Sequence, residues 1–195
     1  MFNFEWSNST LFYGLYERIN SFWDNSDLKA VGTPVNEELE ILNKHKAVLD
    51  VKTFSQEVYT FPKSSSKQLD RKNLRQASKL LDKAGWKVGD DGLRRNTEGK
   101  TLDVEILNDS QAFDRIINPY VENLKKLGIN AANIKIDNAQ MTDRRRKFDF
   151  DILVGFLSTQ LTPGSELEQY FGSESADFSI FNLTGIKDKG VDAII

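Results

Sequence analysis

The stretch from Thr101 to Asp137 restricts the fold more than any other, because its hydrophobic period changes twice within a short length of chain. Leu102, Val104 and Ile106 alternate with Asp103 and Glu105, the period of two that marks a strand with one buried face. Asn108, Asp109 and Ser110 then offer side-chain oxygens to cap a helix start. Phe113, Ile116, Ile117, Tyr120, Val121, Leu124 and Leu127 fall on one helical stripe, with Pro119 inside it to remove a backbone donor and bend the helix. Gly128 stands where a left-handed cap belongs, and residues 129–136 alternate again. The pattern predicts a βαβ unit with a right-handed crossover.

The segments around it are read in the same way. Phe2-Asn3-Phe4-Glu5-Trp6 alternates and predicts a short strand. Ser7, Asn8 and Ser9 offer caps for a helix of roughly four turns, striped by Leu11, Phe12, Leu15, Ile19 and Phe22. Eight aromatics crowd the first 23 residues: Phe2, Phe4, Trp6, Phe12, Tyr13, Tyr16, Phe22 and Trp23. They suit either core packing or an aromatic wall facing a ligand or another domain. Residues 24–34 read as turn. Asn36 caps a short helix to Lys46 with Leu39 and Leu42 inward. Residues 47–68 are a long irregular segment, of the kind that lies against something else. Asp70 caps a helix faced by Leu74, Ala77, Leu80, Leu81 and Ala84 and ended by Gly85, and a hairpin follows around Gly89-Asp90-Asp91.

Beyond Asp137, a helix over Asn138 to Lys147 ends in the basic run Arg144-Arg145-Arg146-Lys147. That run is either a solvated helix end complementing the helix dipole or an anion and nucleic-acid patch. Asp151 to Phe156 is a short apolar run suited to a central strand, and Leu157 to Gly164 is the loop at its carboxyl end. Open α/β sheets place their ligands at such ends. Helices are expected over 165–170 and from 186, with loop between them. The 195 residues favour one large α/β domain, a mixed sheet with the βαβ unit flanked by helices.

The inventory argues against catalysis. There is no cysteine, so neither disulfide nor thiolate metal site is open. The single histidine, His45, lies between lysines at an expected helix end. No carboxylate pair has the spacing of a metal or acid–base site, and no glycine pattern cradles a phosphate. No catalytic residue, metal or cofactor is therefore expected. The net charge of −3 makes the whole surface no footprint for nucleic acid. No secretory signal pattern opens the sequence, and no apolar run approaches the ~20 residues of a membrane-spanning helix. A binding module is the reading that survives. The alternative is a protein- or nucleic-acid-interaction domain using residues 144–147 and the N-terminal aromatics.

Several stretches, taken in order, resemble one family. They are Asn8 to Trp23 (NSTLFYGLYERINSFW), Gly32-Thr33-Pro34, Asn73 to Trp86 (NLRQASKLLDKAGW), Gly99 to Asn108 (GKTLDVEILN), Leu124 to Asp137 (LKKLGINAANIKID), Phe148 to Gly155, Pro163 to Leu167 and Asn182 to Asp192. The chain is similar to extracellular solute-binding protein family 5, the oligopeptide- and dipeptide-binding components of ABC importers, and resembles its YejA-like branch. The resemblance implies one lobe, the carboxyl-side one, of a longer two-lobed periplasmic binding protein, exported by a signal peptide outside these residues. It implies three partners: a peptide or peptide-like solute, the other lobe, and the importer's membrane permease, with no nucleic acid among them. In relatives the loop after the strand matching Asp151–Phe156 faces the cleft, with an aromatic followed three residues later by an acid that holds a peptide amino terminus. Here those positions fall near Leu157 and Gln160, so the acid is absent. An arginine before the strand contacts ligand in some relatives, and Arg145 is its nearest match. The implied ligand-contact set is Arg145, Phe156, Ser158, Thr159 and Gln160.

Overall fold

The computed structural model describes residues 2–195 apart from Thr159 and Leu161. Its elements in chain order are α1 (Phe4–Leu11), α2 (Asn36–Lys44), α3 (Arg71–Lys83), β1 (Lys87–Val88), β2 (Arg94–Arg95), β3 (Asp103–Asn108), α4 (Asp114–Lys125) and β4 (Asn130–Lys135). There follow α5 (Asn138–Arg146), β5 (Ile152–Leu153), α6 (Glu166–Phe171) and α7 (Lys189–Asp192). Two compact units share the chain. Unit 1 comprises residues 1–18, 62–141 and 150–154, and unit 2 comprises residues 19–61, 142–149 and 155–195.

Unit 1 is built on the βαβ element. β3 pairs in parallel with β4 from Asp103↔Asn130 to Asn108↔Lys135, and α4 connects them. Ile106, Ile117, Val121, Leu124, Leu127, Ile129 and Ala131 form its buried core, with Leu74, Ala77 and Leu81 of α3 packed against it. Asn108 is buried at the turn into α4: its Oδ1 accepts from the Ser110 N–H and its Nδ2 donates to Asp114. Gly128 takes φ +81°, which permits the turn from α4 into β4. Asp70 caps α3, its Oδ1 accepting from the Asn73 N–H at 2.9 Å.

Three local expectations give way. Residues 4–6 are helical, not extended, because the Asn3 side chain accepts from the Trp6 N–H and starts α1 there. The helix of roughly four turns expected after Ser7, Asn8 and Ser9 does not form: those residues lie inside α1, which stops at Leu11. Asn8 Oδ1 accepts from the Tyr16 N–H and Asn8 Nδ2 donates to the Tyr16 carbonyl, holding the chain in a turn through Tyr13 and Gly14, both at positive φ. Val35, not Asn36, occupies the cap position of α2, and Asn36 itself has φ +50°.

The strand expected at the centre is an edge. The order is β4-β3-β5, so β3 is central and β5 pairs with it only at Ile106↔Ile152 and Leu107↔Leu153. The Asp151 carboxylate accepts the Glu105 N–H at 2.8 Å, filling with a side chain a position that a longer ladder would fill with backbone. The hairpin is a separate antiparallel pair, β1 with β2.

Unit 2 is loop-rich and held by polar staples and aromatic edges. Buried Asn182 donates to the Gly172 and Ile186 carbonyls and accepts from the Ile186 N–H. Asp188 caps α7 through the Gly190 and Val191 N–H groups. Gly190 is buried so close to the Val48 carbonyl that an added Cβ would sit 3.0 Å from it. The ring of Phe22 meets Tyr170 and Phe171 edge-on, with centroids at 6.3 and 5.2 Å.

Several carboxylates are held below their ordinary range by the donors they accept from. These are Asp70 by the Asn73 N–H, Asp82 by the Arg94 guanidinium, Asp103 by Asn130, Asp114 by Lys135 and Asp192 by Ser173. The Arg95 guanidinium brings Asp91 down to about 2. A lowered folded-state value means the unfolded chain takes up protons first. The resulting stability is present above the ordinary carboxylate value and is lost as pH falls through the folded values. The melting temperature should hold from pH 7 to about 4.5 and then fall between roughly 4 and 2. A scan of melting temperature against pH checks this, and a flat profile down to pH 2 would contradict it.

Candidate functional site

A cleft of about 520 Å³ opens in unit 2, between residues 19–26 and the loop that follows β5. One wall carries Ile19, Phe22 and Trp23 and then Asp24, Asn25 and Ser26; the other carries Gly155, Leu157 and Gln160. The first wall is a run of tight turns, with the Asp24 N–H donating to the Ser21 carbonyl, Ser26 to Trp23 and Lys29 to Ser26. Side chains reinforce it: Ser26 Oγ donates to the Trp23 carbonyl at 3.0 Å, and Asn20 Oδ1 accepts from the Phe61 N–H. The rings of Phe22 and Trp23 meet edge-on at 5.3 Å, which fixes the indole beside the opening. The cleft therefore offers aromatic and aliphatic surface, the carboxamides of Asn25 and Gln160, and one carboxylate, Asp24. Among the described residues no three His, Cys, Asp or Glu side chains gather to hold a metal.

The expected site residues fall in different places. Gln160 lines the cleft. Phe156 is 77% exposed, and Ser158 is exposed beside it. Thr159 lies outside the described residues. Arg145 is half-buried, its Nη2 donates to the Ile180 carbonyl at 3.1 Å, and its Nε is enclosed with no hydrogen-bond partner. Asp24, Asn25 and Ser26 read from the sequence only as turn residues. The signal available for them was their position directly after the aromatic-rich segment, since turn residues that follow anchored rings are placed as firmly as the rings.

The basic run is largely engaged within unit 2. Arg144 pairs with Asp149 at 2.9 Å, Lys147 with Asp143 at 2.8 Å, and Arg145 with the Ile180 carbonyl. Arg146 borders a separate groove of about 440 Å³ with Phe178 and Phe181. No described helix is long and apolar enough to cross a membrane.

Turns anchored by aromatic rings, closing with a post-strand loop on a cleft of amides and apolar surface, make an arrangement suited to holding a solute. Residues 1–178 match the family described as bacterial extracellular solute-binding proteins, family 5 Middle, and the chain belongs to that family. It is 41% identical over 195 residues to the probable peptide-binding protein YejA of Agrobacterium fabrum, covering all of this chain and 32% of that protein. It is 34% identical over 194 residues to the uncharacterized protein YejA of Escherichia coli, again covering all of this chain and 32% of the relative. The chain thus spans about a third of the length of the curated relatives it matches. Among solved structures, the mannohexaose-bound periplasmic oligopeptide-binding protein of Thermotoga maritima superposes with a TM-score of 0.60 at 18% identity, over 98% of this chain and 32% of its own. NikA of Brucella suis, in complex with Fe(III)-EDTA, superposes with a TM-score of 0.51 at 16% identity, over 95% of this chain and 34% of its own. The α/β fold with its parallel sheet is that of the periplasmic oligopeptide-binding proteins. Members of this family are described as extracellular solute-binding proteins of bacteria.

Proposed function

We propose that this chain is the ligand-facing, carboxyl-side lobe of a longer two-lobed periplasmic protein that delivers oligopeptides or related solutes to an ABC importer. The cleft between residues 19–26 and the loop after β5 carries this reading: one of its walls is the loop that follows a parallel strand in the chain, and open α/β sheets bind ligands with such loops. The role needs no bond-making chemistry. Solute is held by hinge closure against the second lobe, and the importer's permease receives it. The coverage of about a third of each relative supports the existence of further chain.

Within the lobe, Gln160, Phe156, Ser158 and Thr159 supply contacts from the loop, and Arg145 supplies a guanidinium already bound through Nη2 to the Ile180 carbonyl. The test is calorimetric titration of the two-lobed protein with its peptide ligand. Gln160→Ala and Arg145→Ala should each weaken binding by about tenfold, the effect of about one good hydrogen bond. Unchanged affinity in either variant removes that residue from the site. The lone lobe presents half a binding surface and should bind in the millimolar range, about 4 kcal/mol.

A further inference from the structure

Asp24 is the only carboxylate among the described residues that line the cleft. Its side chain is 9% exposed, with Oδ1 3.2 Å from the Lys29 Nζ and Oδ2 accepting from the Asn20 N–H at 3.3 Å. Lys29 is 48% exposed and is not part of the cleft wall. The pair therefore gives the cleft an acid already matched by a cation of the same chain. What remains for a ligand is neutral: the carboxamides of Asn25 and Gln160, the Trp23 indole and Leu157.

We infer that this cleft takes an uncharged, amide-bearing stretch of its ligand, and that Lys29 is the residue that sets this preference by occupying Asp24. The inference rests on the ligand-lobe reading above and narrows it to a substrate class. A ligand ammonium reaching Asp24 has to replace Lys29. That exchange trades one ion pair for another, so no net gain in charge pairing offsets the hydration shell that the incoming amine loses. A ligand amide gives up only neutral hydrogen bonds to water and regains them from the two carboxamides, with the indole covering the apolar surface beside it. Removing the lysine reverses the balance. The carboxylate is then nearly covered with only the Asn20 N–H as partner, and a cation is the group that best satisfies it.

The test follows the side-chain amide NMR signals of Asn25 and Gln160 in the 195-residue chain. Three probes are titrated to tens of millimolar: tetra-alanine, its N-acetylated and C-amidated form, and maltotetraose. In the unaltered chain both tetra-alanines should move these signals with affinities within about twofold of each other. In Lys29→Met the free form should bind about tenfold more tightly than the capped form, and adding Asp24→Asn should cancel that preference. Lys29 is exposed, so backbone spectra outside the cleft should not change and will show that the variant is folded.

A tenfold preference for the free amine in the unaltered chain, or an unchanged ratio in Lys29→Met, would overturn the inference and leave the ligand-lobe reading standing. Signals that respond to maltotetraose alone would overturn the amide class. Silence with every probe would remove both readings.

Discussion

Replacing Arg94 by methionine should lower the stability of unit 1 by about 3 kcal/mol, a fall in melting temperature of roughly 6–12 °C. Arg94 is 1% exposed and lies under the turn between α4 and β4. Its Nε donates to the Leu127 carbonyl at 2.5 Å, its Nη1 to the Trp86 carbonyl at 2.6 Å and to Asp82 at 2.8 Å, and its Nη2 to Ser78 Oγ at 2.6 Å. One planar group therefore ties α3, Trp86 beyond its end, the hairpin and the turn after α4 together. Methionine fills part of the volume but strands the Leu127 and Trp86 carbonyls, and that desolvation dominates the loss. Lysine keeps the charge but cannot reach the same partners with a single nitrogen, so Arg94→Lys should recover less than half of it. Thermal unfolding by circular dichroism decides the matter. A methionine variant as stable as the parent would mean that water replaces these bonds without cost.

Gly128→Ala should cost roughly 2–4 kcal/mol, by two routes that add. The backbone at φ +81° is strained for any residue with a Cβ. The added carbon would also sit 2.7 Å from the Gly92 carbonyl oxygen and 3.1 Å from Arg94 Cγ. The oxygen belongs to backbone, so the hairpin has to move. The Arg94 N–H donates to the Gly128 carbonyl at 2.7 Å, so movement here also disturbs the arginine. The double variant with Arg94→Met should therefore lose less than the sum of the single losses, because the first change already loosens what the second displaces. Denaturant unfolding of the two single variants and the double variant measures this coupling. Strict additivity would show that the glycine and arginine act independently.

Both positions show where reading the sequence reaches its limit. Gly128 was recognisable as a cap, because a glycine after a helical stripe and before an alternating run has one economical use. Its contact with Gly92 was not, since nothing local says which chain will pass beside it. Arg94 and Arg95 are adjacent in a strand, so their side chains point to opposite faces. Periodicity cannot say which face is inward. The structure buries Arg94 and leaves Arg95 partly exposed, paired with Asp91 at 2.7 Å. The start of α1 is a related case. Phe2 to Trp6 alternates as a strand does, and one cap from Asn3 overrides that pattern.

Local order along the chain was enough for the βαβ unit, the helix capped by Asp70, the hairpin and the loop after β5, because period, caps and turns are properties of neighbouring residues. It also determined family membership, through motifs spread along the chain. Long-range packing made β3, not the strand at 151–156, central, and set Gln160 across one cleft from Trp23 and Asn25. It alone paired Asp24 with Lys29 beside that cleft. These outcomes depend on contacts between segments far apart in sequence, and the packing that selects them leaves no local period to read.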